Sequence, residues 1–116
     1  MSEFEKAVAA AVEQLTTDAN ESSVDTTLVE AIAKGLGPSI YNADASTVSC
    51  SDSEELDRVR ESFVKGKLGV AADDDSIDMA IMAVCETLGM SNRNKLRIAF
   101  YYLLTKHFGK EDVYAA

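Results

Sequence analysis

Residues 51–69, SDSEELDRVRESFVKGKLG, and residues 91–109, SNRNKLRIAFYYLLTKHFG, align at an offset of forty positions. Ser51 then matches Ser91 and Gly69 matches Gly109, with apolar residues at helical spacing between them. Each stretch is predicted to be a helix, because a serine can cap the start of a helix and a glycine can end one. Chance matches between the apolar positions of two amphipathic helices are common, so duplication of a helix pair and coincidence both stay open.

Capping boxes and glycine stops predict where the helices begin and end. The first helix is predicted at residues 3–15, behind a Ser2/Glu5 capping box, and the second after a Thr27/Glu30 box, ending at Gly37. The third starts at a Ser51/Glu54 box, and the fourth runs from the acidic run 73–75 to the glycine at position 89. The fifth is predicted from position 91 or 92 to about position 107, with apolar residues on both faces, which predicts burial on both faces.

The fold predicted from these elements is all-α, a five-helix orthogonal or bundle-like single domain. The chain has 116 residues, 47% of them hydrophobic, with one proline, a composition that favours helix over sheet. Residues 1–26 are predicted to form an N-terminal helix and a polar tether, and residues 27–110 the main helical core.

Charge is distributed unevenly along the chain. Residues 1–90 carry a net charge of −12, whereas residues 91–110 hold five basic residues and no acidic ones. An acidic surface repels phosphate backbones, so nucleic acid is not an expected partner. The longest apolar run, 98–104, is far shorter than a membrane span, and the N-terminus lacks the features of a secretory signal. A soluble, cytoplasmic protein without a membrane partner is expected.

No set of catalytic, metal-binding or cofactor-binding residues is complete in this sequence. Cys50 and Cys85 lack metal-ligand spacing and are predicted to be free thiols in a reducing compartment. A Cys50–His107 dyad is disfavoured, because the only histidine follows an apolar helix face and is expected to pack or to cap the helix. A calcium loop starting at Asn42 fails at its sixth and twelfth positions. We therefore predict no enzyme activity, no metal and no cofactor.

The basic segment suggests an anion site at the predicted start of the fifth helix. Its candidate residues are Asn92, Arg93, Asn94 and Arg97. Free backbone N–H groups at the helix start would bind a phosphate or carboxylate, together with two arginine side chains one turn apart. The alternative is that the basic residues complement acidic helices packed around a central helix.

The second face of the fifth helix is the candidate interface. Large apolar residues there need cover from another surface, either a second chain or the first helix: Ile98, Tyr101, Tyr102 and Phe108. Tyrosines favour an interface, because each offers a large contact area and a hydroxyl. A homodimer through this face is therefore predicted.

Several short motifs carry a family resemblance. The stretch GLGPSIYNADA at residues 35–45, KLG at 67–69, SNR at 91–93, YYLL at 101–104 and FGK at 108–110 resemble the small bacterial family known as domain of unknown function 2853. The similarity extends from about Val24 to Tyr114. It implies a bacterial, soluble, all-helical protein, and it implies no activity and no functional residues.

Two functions stay open from the sequence. The first is a non-enzymatic helical interaction domain that binds a protein partner or itself. The alternative is a small-anion binding module at the N-terminus of the last helix.

Overall fold

The structure is a computed structural model that describes residues 2–115, and those residues form five α-helices and no sheet. The helices are α1 (Glu3–Thr17), α2 (Thr26–Leu36), α3 (Ser53–Arg58), α4 (Asp74–Leu88) and α5 (Arg97–His107). A 3-10 turn, Gly37–Tyr41, follows α2, and a second one, Glu111–Tyr114, follows α5. Helix α3 continues directly as a π-helical segment, Val59–Lys67. The predicted all-α, five-helix fold is confirmed.

Helix starts follow side-chain caps, although two of the predicted caps are wrong. The capping box of Ser2 and Glu5 is present at the start of α1. Helix α2 is capped instead by Asp25, and α3 by Asp52, each one or two residues from the predicted position. In both cases the aspartate carboxylate accepts at least one backbone N–H of the first turn, and its negative charge interacts favourably with the N-terminal end of the helix dipole.

Helix α5 lies at the centre of the molecule and packs against α1, α2 and α4. Residues 98–105 are all buried, so the predicted burial on both faces is confirmed. Tyr102 is fully buried, and its hydroxyl accepts a hydrogen bond from the backbone N–H of Asp25 at 3.0 Å. The tether between α1 and α2 is thereby attached to the central helix.

The predicted start of α5 is wrong, because this helix begins at Arg97 and not at position 91 or 92. The side chain of Asn92 donates to the carbonyl of Leu88, the last residue of α4, and accepts the N–H of Asn94. Residues 91–96 therefore form a loop that closes α4 before α5 begins. The stretches 51–69 and 91–109 share terminal glycines with positive φ, Gly69 and Gly109, but not their helix starts.

Cys50 and Cys85 form a disulfide, which corrects the prediction of two free thiols. The fold brings the loop before α3 against the inner face of α4, and the two Cα atoms lie 6.1 Å apart, within bonding range for cystine. Sequence spacing gave no sign of this contact, since the partners are 35 positions apart. A cross-link of that span stabilises the folded state by about 3–4 kcal/mol, because it lowers the entropy of the unfolded chain.

No helix within residues 2–115 combines the length and the apolar character needed to cross a bilayer.

Candidate functional site

An open polar groove of about 1060 Å³ lies between two loops near the start of α5. One wall comes from residues 42–58, which include the loop before α3, and the other from residues 90–97, the loop between α4 and α5. We call this cavity the polar groove and residues 42–52 the groove loop. Four basic and three acidic side chains line it: Arg58, Arg93, Lys95, Arg97, Asp44, Asp52 and Glu55. The groove is therefore locally cationic, although the chain as a whole carries a net charge of −9.

Arg97 joins the two walls of the groove. Its guanidinium donates to the backbone carbonyls of Ala45 at 2.6 Å and Thr47 at 3.0 Å, and it forms an ion pair with Glu55 on α3. It also donates to the Tyr101 hydroxyl, one turn further along α5. Since the side chains of Arg97 and Glu55 are only 13% and 11% exposed, this is a largely desolvated pair.

Backbone pairing reinforces the contact between the two walls. The N–H of Arg97 donates to the Ser46 carbonyl at 2.8 Å, and the N–H of Val48 donates to the Lys95 carbonyl at 2.9 Å. Thr47 and Leu96 form an isolated antiparallel bridge at the same place. The groove loop is thus fixed to the start of α5 by main-chain and side-chain bonds together.

Tyr101 stays protonated beside this ion pair. Burial raises the pKa of its hydroxyl, while the neighbouring Arg97 opposes that rise. The ring stacks on Phe63 of the π-helical segment, with centroids 3.8 Å apart and planes at 13°. A neutral hydroxyl suits the contact, because it accepts from the guanidinium without adding a charge.

Lys95 is a buried cation without an acidic partner in the part of the chain that the structure describes. The residue is 3% exposed, and its ammonium donates to the carbonyls of Asn92 at 2.6 Å and Met90 at 3.4 Å. Burial lowers the pKa of this ammonium, because removal from water disfavours its charged form. An ammonium has three donors, so one remains for a further acceptor.

Three of the four predicted anion-site residues line the groove, but in a different arrangement. Asn92, Arg93 and Arg97 are in its walls, whereas Asn94 is not. The helix-start N–H groups expected at 92–94 are absent from this arrangement, since the helix begins later and the Asn94 N–H is bonded to Asn92. Arg97 is committed to Glu55. Arg93 is exposed and makes no ion pair within residues 2–115.

The candidate interface residues on α5 are covered within the protomer. Ile98, Tyr101 and Tyr102 are at most 8% exposed, and Phe108 is half-buried. Of the two kinds of cover that the sequence left open, the structure shows cover by the protomer itself: α1, α2 and Phe63 of the π-helical segment pack against α5. The homodimer stays a prediction, but the face of α5 proposed as its interface is buried within the protomer.

Other chemistry-bearing residues lie apart from one another. His107 is exposed at the far end of α5, and Cys50 is disulfide-bonded near the start of that helix, so they do not form a dyad. In the acidic run, Asp73 caps α4 and Asp74 pairs with Lys65. Among residues 2–115, no three histidine, cysteine or acidic side chains converge as a metal site would require.

Comparison with protein families assigns the chain to one family. The sequence model described as "Protein of unknown function (DUF2853)" matches residues 9–112. The chain belongs to the DUF2853 family. Among curated proteins, no sequence is significantly similar to it.

In this DUF2853 protein, two residues that hold the groove together gave no clear signal in the sequence. Glu55 looks like an ordinary acidic residue of an amphipathic helix, yet it is buried against Arg97. Gln14, buried on α1, accepts the N–H of Leu96 at 2.9 Å and donates to the Asn94 carbonyl at 2.6 Å. It therefore satisfies the backbone just before α5, where no side chain of α5 caps the helix.

The shared carboxylate of Glu55 offers a matched test of the contact between the walls. Arg97→Gln should lower the free energy of unfolding by about 3 kcal/mol, because it removes the donor of the Oε1 atom of a largely buried carboxylate and of two carbonyls. Arg58 pairs with the same carboxylate at 3.2 Å but is 62% exposed. Arg58→Gln should therefore cost under about 0.5 kcal/mol. Urea denaturation measures both variants, and equal losses would contradict the assigned role of Arg97.

Proposed function

We propose that this DUF2853 protein binds a small anionic ligand, a carboxylate or a phosphate, in the polar groove, without catalysis. The observation that carries the proposal is Lys95, a buried ammonium with two carbonyl partners and no carboxylate. A buried charge is costly unless it is paired, so an anion that enters the groove would gain a desolvated ion pair. Arg93, exposed on the same loop, would attract the anion and add a guanidinium contact.

The alternative reading of the basic segment accounts for only part of it. Arg97 pairs with Glu55, and Lys106 with Glu111, as expected for a basic helix among acidic neighbours. Arg93, Lys95 and Lys110 form no ion pair within residues 2–115, and of these three only Arg93 and Lys95 line the groove. We therefore assign the ligand to the two unpaired cations that line the groove, Arg93 and Lys95.

Ligand binding should be visible through the titration of Lys95. An anion favours the charged ammonium, so adding inorganic phosphate or succinate should raise the Lys95 pKa, which burial holds down in the free protein. By linkage, affinity should fall as pH rises through the pKa of Lys95. Lysine-selective ¹³C labelling followed by NMR measures the pKa, and amide shifts of residues 91–97 measure binding.

Two charge-matched variants complete this experiment. Arg93→Gln should weaken binding, whereas Lys34→Gln, which removes an exposed cation outside the groove, should leave it unchanged. Lys95→Gln should abolish the pH dependence. If the amide shifts of residues 91–97 and the pKa of Lys95 stay unchanged at millimolar phosphate and succinate, the proposal is contradicted.

Protein interaction is the second candidate function, and exposed methionines on α4 favour it. Met79 is 75% exposed and Met82 37% exposed, on a helix face shared with Asp75 and Glu86 at spacings of three and four residues. Methionine is a flexible side chain that adapts to varied apolar partners. Acidic neighbours add a charge preference, so the partner that fits is an amphipathic segment bearing Lys or Arg.

Two peptides of opposite charge test whether the surface around Met79 and Met82 binds a basic partner selectively. A helical Leu/Lys peptide should shift the ε-methyl signals of Met79 and Met82 in ¹³C-methionine NMR, and a Leu/Glu peptide should not. The double variant Met79→Gln/Met82→Gln should weaken binding about tenfold or more, from the lost apolar burial. Met90→Gln, at an exposed methionine of the groove, is the control. Equal shifts with both peptides would contradict a basic partner.

A further inference from the structure

The disulfide places one cysteine in the wall of the polar groove and the other in the core. Cys50 lines the groove and is 9% exposed, whereas Cys85 is fully buried on the inner face of α4. We propose that Cys50 is a thiol-exchange site, at which a small anionic thiol that enters the groove forms a mixed disulfide. The choice of an anionic thiol rests on the proposed anion binding.

Burial fixes which sulfur is attacked. Because Cys50 lies in the groove wall and Cys85 is fully buried, we expect an incoming thiolate to attack the Sγ of Cys50. The leaving group is then the Sγ of Cys85, which lies among core residues such as Ile81, Val84 and Leu88. Attack on Cys85 itself would require α4 to separate from the core.

The exchange is balanced without any further reactant. The thiolate sulfur forms a bond to Cys50 Sγ, and the Cys50–Cys85 bond breaks, with its electron pair leaving on Cys85. Because a thiolate in an apolar site is disfavoured, Cys85 takes up a proton and becomes a neutral thiol. The net change consumes one small thiol and one protein disulfide, and it yields one mixed disulfide and one buried thiol.

Charge around the groove sets the preference among thiols. Arg93 and Lys95 stand on the wall that faces the groove loop, and neither has an acidic partner within residues 2–115. Of the three acidic lining residues, Glu55 is neutralised by two arginines and the Asp52 carboxylate accepts N–H groups at the start of α3, so the four basic residues outweigh the acidic ones. A carboxylate on the incoming thiol would therefore be attracted, and an ammonium would be repelled.

The fold can tolerate opening of the disulfide, because the groove loop has other attachments. Arg97 holds the carbonyls of Ala45 and Thr47, and Val48 pairs with the Lys95 backbone. A mixed disulfide at Cys50 would thus sit on a loop that remains in place, with the thiol's carboxylate in the groove that Arg93 and Lys95 line.

Three thiols of similar size and different charge test the site: 3-mercaptopropionate, 2-mercaptoethanol and cysteamine. Each rate is divided by the rate of the same thiol with bis(2-hydroxyethyl) disulfide, which removes differences in thiol reactivity. After acid quenching, alkylation in denaturant and peptide mass mapping locate the adduct. We expect the anionic thiol to react about tenfold faster than the neutral one, with the cationic thiol slowest and the adduct on Cys50.

Two variants test whether the groove causes the preference for the anionic thiol. Arg93→Gln should remove most of the advantage of 3-mercaptopropionate, and Lys34→Gln should preserve it, with circular dichroism confirming that both variants are folded. Equal normalised rates for the three thiols, an adduct on Cys85, or no adduct at all would each overturn the proposal.

A thioether that cannot exchange separates this proposal from anion binding. If 3-(methylthio)propionate shifts residues 91–97 but 3-mercaptopropionate forms no adduct, anion binding stands and thiol exchange is refuted. If the thioether causes no shift and the three thiols react equally, anion binding and the anionic preference are both refuted.

Discussion

The contact between Arg97 and the segment 45–55 is the interaction on which the rest of the site depends. A loop without regular structure has backbone carbonyls that need hydrogen-bond donors. The side chain of Arg97, the first residue of α5, donates to two of these carbonyls. The same guanidinium pairs with Glu55, which fixes the start of α3 relative to α5. One cation thereby positions a loop and two helices, and its planar set of donors suits this task better than a lysine ammonium would.

That arrangement explains why a groove exists beside the start of α5. Arg97 pairs with Glu55, whereas Lys95 and Arg93 have no acidic partner within residues 2–115. The two carbonyl dipoles offset part of the cost of burying the Lys95 ammonium. They do not neutralise its charge, and one N–H donor remains for an anion. The disulfide fastens the other end of the groove loop to α4 and places Cys50 in the groove wall. Binding of an anion and exchange at sulfur are thus two proposals about one cavity.

Local patterns in the sequence predict the helices well and their contacts poorly. Apolar spacing predicts all five helices, and the prediction that α5 is buried on both faces follows from its composition. Two of the failures have nonlocal causes: Cys50 meets Cys85, and Gln14 on α1 satisfies the backbone before α5. The wrong start of α5 has a local cause, since Asn92 bonds to the carbonyl of Leu88 four residues earlier and closes the preceding helix, where the pattern alone favours the start of the next one. The anion-site residues were identified as a cluster, but the buried ammonium and the role of Glu55 depend on tertiary packing that periodicity does not encode.

The side-chain N–H signals of Arg97 test the central contact most directly. A guanidinium held by two carbonyls and a carboxylate cannot rotate freely, so low-temperature ¹⁵N NMR should show separate, slowly exchanging Nη resonances for Arg97. Nuclear Overhauser contacts from those protons to residues 45–55 should accompany them. A single averaged, rapidly exchanging Nη signal, like that of an exposed arginine such as Arg93, would contradict the account.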